Sequence, residues 1–178
     1  MAAQKPVEAR YGRVHNIGMA AVSVLMIAGA IIHFTTNSTN APRLSLNDPG
    51  FMLIALLFLA LGYYIFLGIS RAANRQPQVA IDRDGITLGF GRNRRLPWND
   101  IKWVKLHRLA MRQQLLIGLD PETFVAADLR LSLFNLDDSL RPVRGMPAAI
   151  LVRDNGLDVT ASAMLDAVRT FRPNLVKS

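Results

Sequence analysis

The chain has no cysteine and only three histidines, His15, His33 and His107, among its 178 residues. Without cysteine there is no thiolate to act as nucleophile or metal ligand, and the histidine spacing does not converge on one ion. A cysteine-free chain fits a reducing compartment without requiring one. Acidic residues are also scarce, 13 against 21 lysines and arginines, for a formal net charge of +8. The acidic pairs Asp82/Asp84 and Asp137/Asp138 fall in turn-forming sequence, where aspartate is favoured for hydrogen bonding its own backbone. Gly89-Phe90-Gly91 lacks the Lys-Ser/Thr ending of a phosphate loop and leads toward a strand. With no acid/base, nucleophile or metal constellation, the sequence reads as a non-enzyme with no cofactor and no metal. Internal repeats and low-complexity tracts are absent too.

Two apolar stretches free of Asp, Glu, Lys and Arg dominate the first part, Ile17 to Phe34 and Phe51 to Ile69. Each is close to the ~20 residues with which a helix crosses a bilayer. A helix over the second would be apolar on every face, which a soluble core helix is not. Lys5, Arg10 and Arg13 ahead of a run reaching Ala28-Gly29-Ala30 also resemble a signal peptide, but the run continues through Ile31-Ile32-His33-Phe34, past the small-residue site. The first stretch is therefore read as an uncleaved span. His33 has no charged partner within the span and reads as an interfacial side chain.

Cationic residues flank both outer ends, with Lys5, Arg10 and Arg13 before the first span and Arg71 and Arg75 after the second, whereas the loop Thr35 to Gly50 has only Arg43. The positive-inside rule then places both termini in the cytoplasm. The loop is turn-prone, and its Asn37-Ser38-Thr39 is a glycosylation sequon only in a host that glycosylates. Ala21 and Ala28 in the first span, and Ala55 and Gly62 in the second, are spaced seven apart and offer a close-packing face for an antiparallel hairpin. The resulting plan is an N-terminal cytoplasmic segment over 1–16, a transmembrane hairpin over 17–70 and a cytoplasmic domain over 71–178.

The domain reads as α+β. Val79 to Asp82 and Ile86 to Phe90 flank an Asp84-Gly85 turn, a hairpin signal. Gly91 to Arg95 predicts a second turn, followed by Leu96 to Ile101 and a strand through Lys102 to Arg108, and Gln114 to Leu119 predicts another. Asp120-Pro121-Glu122 opens a helix predicted to reach Phe134. Asp137 to Gly145 reads as loop, and Ala148 to Arg153 as strand before an Asn155-Gly156 turn. Thr160 caps a last helix whose Ala161, Met164, Leu165, Val168 and Phe171 form one apolar face, with Asp166, Arg169 and Arg172 turned away. Pro173 ends it, with mobile residues expected after it.

These signals, in the order Asp84-Gly85-Ile86, Leu96 to Ile101, Asp120-Pro121-Glu122, Gly145 to Ile150 and Leu157 to Thr160, resemble a family of bacterial two-span membrane proteins with a small PH-like cytoplasmic domain. The resemblance covers nearly the whole chain. It implies a PH-like antiparallel sheet capped by a C-terminal helix in the bacterial inner membrane, and it carries no catalytic positions.

Charge supplies the one functional lead. Ten basic residues lie between Arg71 and Arg112 against Asp82, Asp84 and Asp100. Beside an anionic cytoplasmic leaflet, Arg71, Arg75 and the cluster Arg92, Arg94 and Arg95, with Trp98 behind it, read as lipid-headgroup contacts. Arg71 and Arg75 serve equally well as plain topology signals. Nucleic acid is not expected, because a tethered domain offers its patch to lipid first. The leading expectation is an accessory protein that docks on the leaflet and presents a surface to a membrane protein complex. The alternative is a lipid or small-ligand sensor with a pocket between sheet and final helix.

Overall fold

The computed structural model describes residues 5–36, 49–89, 94–109, 112–126, 140–143, 146–154 and 156–177. The chain forms two compact units, Gly12–Arg75 and a second that joins Met1–Tyr11 to Gln76–Ser178.

The first unit is a pair of helices, α1 (Arg13–Thr36) and α2 (Pro49–Ala73). Both are long and apolar enough to cross a membrane, and in each only 11% of the most apolar window is buried within the protein. A core helix of a soluble protein would bury most of that surface, so this exposure is compatible with a two-pass membrane protein. Polar side chains in α1 bond back to their own helix, Ser23 Oγ donating to the Met19 carbonyl at 3.0 Å and Thr36 Oγ1 to that of Ile32 at 2.8 Å. This satisfies hydroxyls that hydrocarbon could not.

The buried seam of the hairpin runs through Asn16, Ala20 and Ser23 of α1 and Leu61 and Gly68 of α2. A Cβ at Gly68 would lie 2.5 Å from the Asn16 carbonyl oxygen and 2.9 Å from the Ala20 Cβ, so glycine is what lets the backbones approach there. The small-residue face read from sequence is thereby corrected. Ala21, Ala28 and Gly62 are exposed and Ala55 is half-buried, and a Cβ at Gly62 would meet nothing within 4 Å. One residue along a helix is a rotation of ~100°, enough to move Ala21 off the seam that Ala20 occupies.

The second unit has two four-stranded antiparallel sheets. The first contains β1 (Val7–Ala9), β2 (Val79–Ile81), β3 (Gly85–Leu88) and β4 (Arg94–Pro97) in that order. The second is built from β5 (Ile101–Leu109), β6 (Arg112–Leu119), β7 (Leu140–Val143) and β8 (Met146–Arg153) in the order β5-β6-β8-β7. A short helix α3 (Pro121–Ala126) follows β6, and α4 (Ala161–Phe171) follows β8. One apolar core joins these parts, with Ile81, Ile86, Leu88 and Leu96 from the first sheet, Val104, Leu115, Ile117 and Val152 from the second, and Met164, Leu165 and Val168 from α4. A bulge between Ile101 and Trp103 explains how Ile101 and Val104, three apart, both face that core. Thr160 caps α4 as its sequence predicts, Oγ1 accepting from Ala163 N–H at 3.3 Å.

Three features depart from the sequence reading. Val7–Ala9, in a segment read without a strand, is an edge strand in which Val7 faces Ile81 and Ala9 faces Val79. The same segment is tied elsewhere, since Arg10 N–H donates to Asp158 Oδ1 at 2.6 Å and Asp158 N–H to the Arg10 carbonyl at 2.9 Å. Leu140–Val143, read as loop, is the edge strand β7. The last residues are held too, because Val176 bridges Val104 in parallel and Lys177 N–H donates to the Val104 carbonyl at 2.9 Å. The part of the α3 prediction beyond Ala126 lies outside the described residues.

Strand β1 precedes α1 and β2 follows α2, so the two chain segments leaving the hairpin meet in one sheet. Across a bilayer that pairing requires both segments on the same side, which an even number of spans provides.

Candidate functional site

The β2–β3 hairpin decides what the basic cluster can do. Register pairs Ile81 with Ile86, leaving Asp82 to Gly85 as the connection. Asp82 Oδ1 accepts from the backbone N–H groups of Asp84 at 2.8 Å and Gly85 at 3.1 Å, the local bonding that makes aspartate a turn residue. A Cβ at Gly85 would run into the Leu96 carbonyl, so glycine is needed there for the close approach of β4.

Antiparallel pairing of β3 with β4 places Arg95 opposite Thr87. From there its Nη2 donates to both oxygens of Asp82 at 3.0 Å and to Asp84 Oδ2 at 2.9 Å. Burial would raise the Asp82 carboxyl, but the Asp84 and Gly85 N–H groups and the Arg95 guanidinium outweigh it and hold the pKa below the ordinary aspartate value. Arg95 therefore bridges two carboxylates, and a headgroup phosphate would have to compete with them for its half-exposed guanidinium. Trp98 is 4% exposed, and its Nε1–H donates to the Asp82 carbonyl at 3.1 Å. A buried indole bonded to backbone cannot anchor in an interface, so Trp98 is removed from the headgroup set, while Arg95 is engaged first by its two aspartates.

The other predicted contacts divide by unit. Arg94 is exposed at the start of β4 and has no ion pair among the described residues. Its neighbour in register is Leu88, which sets it on the opposite face of the strand from Arg95. Arg92 lies outside the described residues. Arg71 is half-buried in the last turn of α2, and Arg75 is exposed just after it. Lys102 joins Asp120 at 2.9 Å, and the Lys105 ammonium sits 5.3 Å from the centre of the Trp103 ring.

A groove of about 570 Å³ lies between β5, α4 and the C-terminal segment, lined by Leu106, Leu165, Arg169, Pro173, Val176 and Lys177. It occupies the place named by the sensor alternative, between sheet and final helix. Its lining went unpredicted, because the pinning of Val176 to Val104 that forms one wall leaves no local signal in the sequence. Among the described residues no group of three or more His, Cys, Asp or Glu is placed to hold a metal ion. No protein-family model, curated protein or solved structure matches the chain. The site must be read from its own chemistry.

Proposed function

We propose that the chain is a two-pass protein of the bacterial inner membrane whose cytoplasmic PH-like domain presents a surface to a membrane protein complex, without catalysis of its own. The observation that carries this reading is the sheet built from both flanks of the hairpin, β1 from one side and β2 from the other. A domain whose sheet takes one strand from each flank of a membrane hairpin is tethered to the bilayer at two points, so membrane proteins and lipid headgroups are its nearest candidate partners. The cytoplasmic orientation is supported by Lys5, Arg10, Arg13, Arg71 and Arg75 against the single Arg43 of the intervening loop. The PH-like assignment is supported by two antiparallel sheets sharing one core with a C-terminal helix.

Contact with anionic headgroups is assigned to Arg71 and Arg75 beside α2 and, separately, to Arg92 and Arg94 of the domain, with Arg95 held back by its two carboxylates. Nucleic acid is not a partner in this reading. The rival reading, a lipid or small-ligand sensor, would use the groove beside α4. Exposed Arg169, Pro173 and Lys177 make that groove a surface feature, which suits a macromolecular partner better than enclosure of a small molecule. Cross-linking in native membranes, then affinity capture of the full chain, tests the proposal. Recovery of one stoichiometric membrane complex is expected. Recovery of the chain alone, with saturable binding of a lipid or metabolite, would replace this reading by the sensor.

A further inference from the structure

Strand β5 is an edge of its sheet. Among the described residues only the C-terminal segment pairs along that edge, through the Val176–Val104 bridge and the Lys177 N–H to Val104 carbonyl bond. The Val104 carbonyl points outward, and strand groups alternate direction with a period of two, so the N–H and C=O groups of Leu106 and Arg108 point outward as well. They have no partner among the described residues. An open edge of this kind is a template for a further strand, and the chain's own tail already uses part of it.

The groove beside α4 opens directly off this edge. Leu106, Leu165 and Val176 give it an apolar floor, and exposed Arg169 and Lys177 give it a cationic rim. Arg108, also exposed, lies two residues beyond Leu106 on the same face of β5. Arg169 is paired with Asp166 at 2.7 Å, but both side chains are more than half exposed, so exchanging that partner for another carboxylate costs little.

We propose that this edge and groove bind an extended acidic segment of a partner protein, added to β5 in line with the C-terminal segment. Its backbone pairs with Leu106 and Arg108, an apolar side chain covers Leu106 and Leu165, and its carboxylates meet Arg169, Lys177 and Arg108. An anionic lipid would use the floor and the rim and leave the strand edge unpaired, which is why a peptide fits the whole feature. The inference rests on the accessory-protein reading and supplies the surface which that reading needs.

The test uses the full chain in phosphatidylcholine nanodiscs and a fluorescein-labelled peptide of alternating Glu and Val, six residues long. Saturable binding is expected, weakened at least tenfold in Arg169→Glu/Lys177→Glu and by a smaller factor in Arg169→Gln/Lys177→Gln. Methylating alternate backbone nitrogens of the peptide should also weaken it at least tenfold, and a Lys-Val peptide should not bind. Equal binding by the methylated peptide or by the Glu double variant would overturn the proposal, as would an absence of binding. Displacement of the peptide by oleate with no effect of methylation would reassign the groove to an anionic amphiphile. In cross-linked membranes, a complex captured by the parent and lost in the Glu double variant supports the groove. A complex retained by that variant overturns the groove and leaves the accessory reading standing, whereas no complex with either chain removes that reading itself.

Discussion

Ala9→Asp probes the contribution of the N-terminal strand to the domain. Ala9 is 1% exposed, faces Val79 in register, and accepts a hydrogen bond from Gln78 N–H at 2.7 Å. Its side chain points into an apolar core. A carboxyl there, ionised or protonated, loses its hydration without gaining a partner, a loss of about 2 kcal/mol. Since β1 has only three residues, this is enough to release the strand as a unit. A loss of ~2 kcal/mol raises the population of the open form about 30-fold. Hydrogen exchange on the full chain would read that change at the Gln78 amide, whose acceptor is Ala9. The control is Glu8→Gln, which removes an exposed ion pair with Arg10 and should shift exchange by less than ~0.5 kcal/mol. Unchanged exchange at Gln78 in Ala9→Asp would refute the claim that β1 belongs to the sheet. The same reasoning predicts that a fragment starting at Gln76 leaves the β2 edge open and associates, and that supplying residues 5–11 through a linker cures it.

Gly68→Ala should weaken packing of the hairpin by about 1–3 kcal/mol through collision with Asn16 and Ala20, and Gly62→Ala should change it little. Unfolding in mixed micelles measures both, and equal effects would contradict the seam. The depressed pKa of Asp82 contributes stability above the ordinary carboxylate value of ~3.9, and that contribution is lost as pH falls through the lower folded value. Asp82→Asn should therefore be less stable than the parent at pH 7, with the two chains converging in acid. A constant difference at every pH would refute this. Leu165→Ala empties a site 6% exposed and should lower stability by about 2–5 kcal/mol, more than Phe171→Ala at its half-buried position, as denaturant melts would show.

Much of the architecture was legible because its signals are local. Charge-free length marks α1 and α2, short runs bounded by turn residues mark β5, β6 and β8, and Thr160 with its apolar face marks α4. What escaped depends on partners distant in sequence. Val7–Ala9 is three residues with no adjacent turn, and its partner lies beyond both long apolar helices. Leu140–Val143 contains Pro142, which argues against a strand unless the strand lies at an edge, as β7 does. The arginine cluster reads as one patch along the sequence, but β3–β4 register sends Arg95 to the aspartates and leaves Arg94 on the other face. Hairpin faces were misassigned because spacing by seven fixes a stripe but not which neighbouring stripe meets the partner helix.

The central claim, that one domain is made from both flanks of the apolar helical hairpin, can be tested by a disulfide in this cysteine-free chain. Glu8 and Ala80 are direct neighbours across β1 and β2. Directly opposed antiparallel residues have Cα atoms roughly 4.5–5.5 Å apart, within disulfide range. Glu8→Cys/Ala80→Cys in native membranes should cross-link within one chain under mild oxidation, seen as a shift on a non-reducing gel that reduction reverses. Before oxidation, both cysteines should react with an impermeant maleimide only in inside-out vesicles. Failure to cross-link, with the two cysteines labelled from opposite sides, would contradict the account.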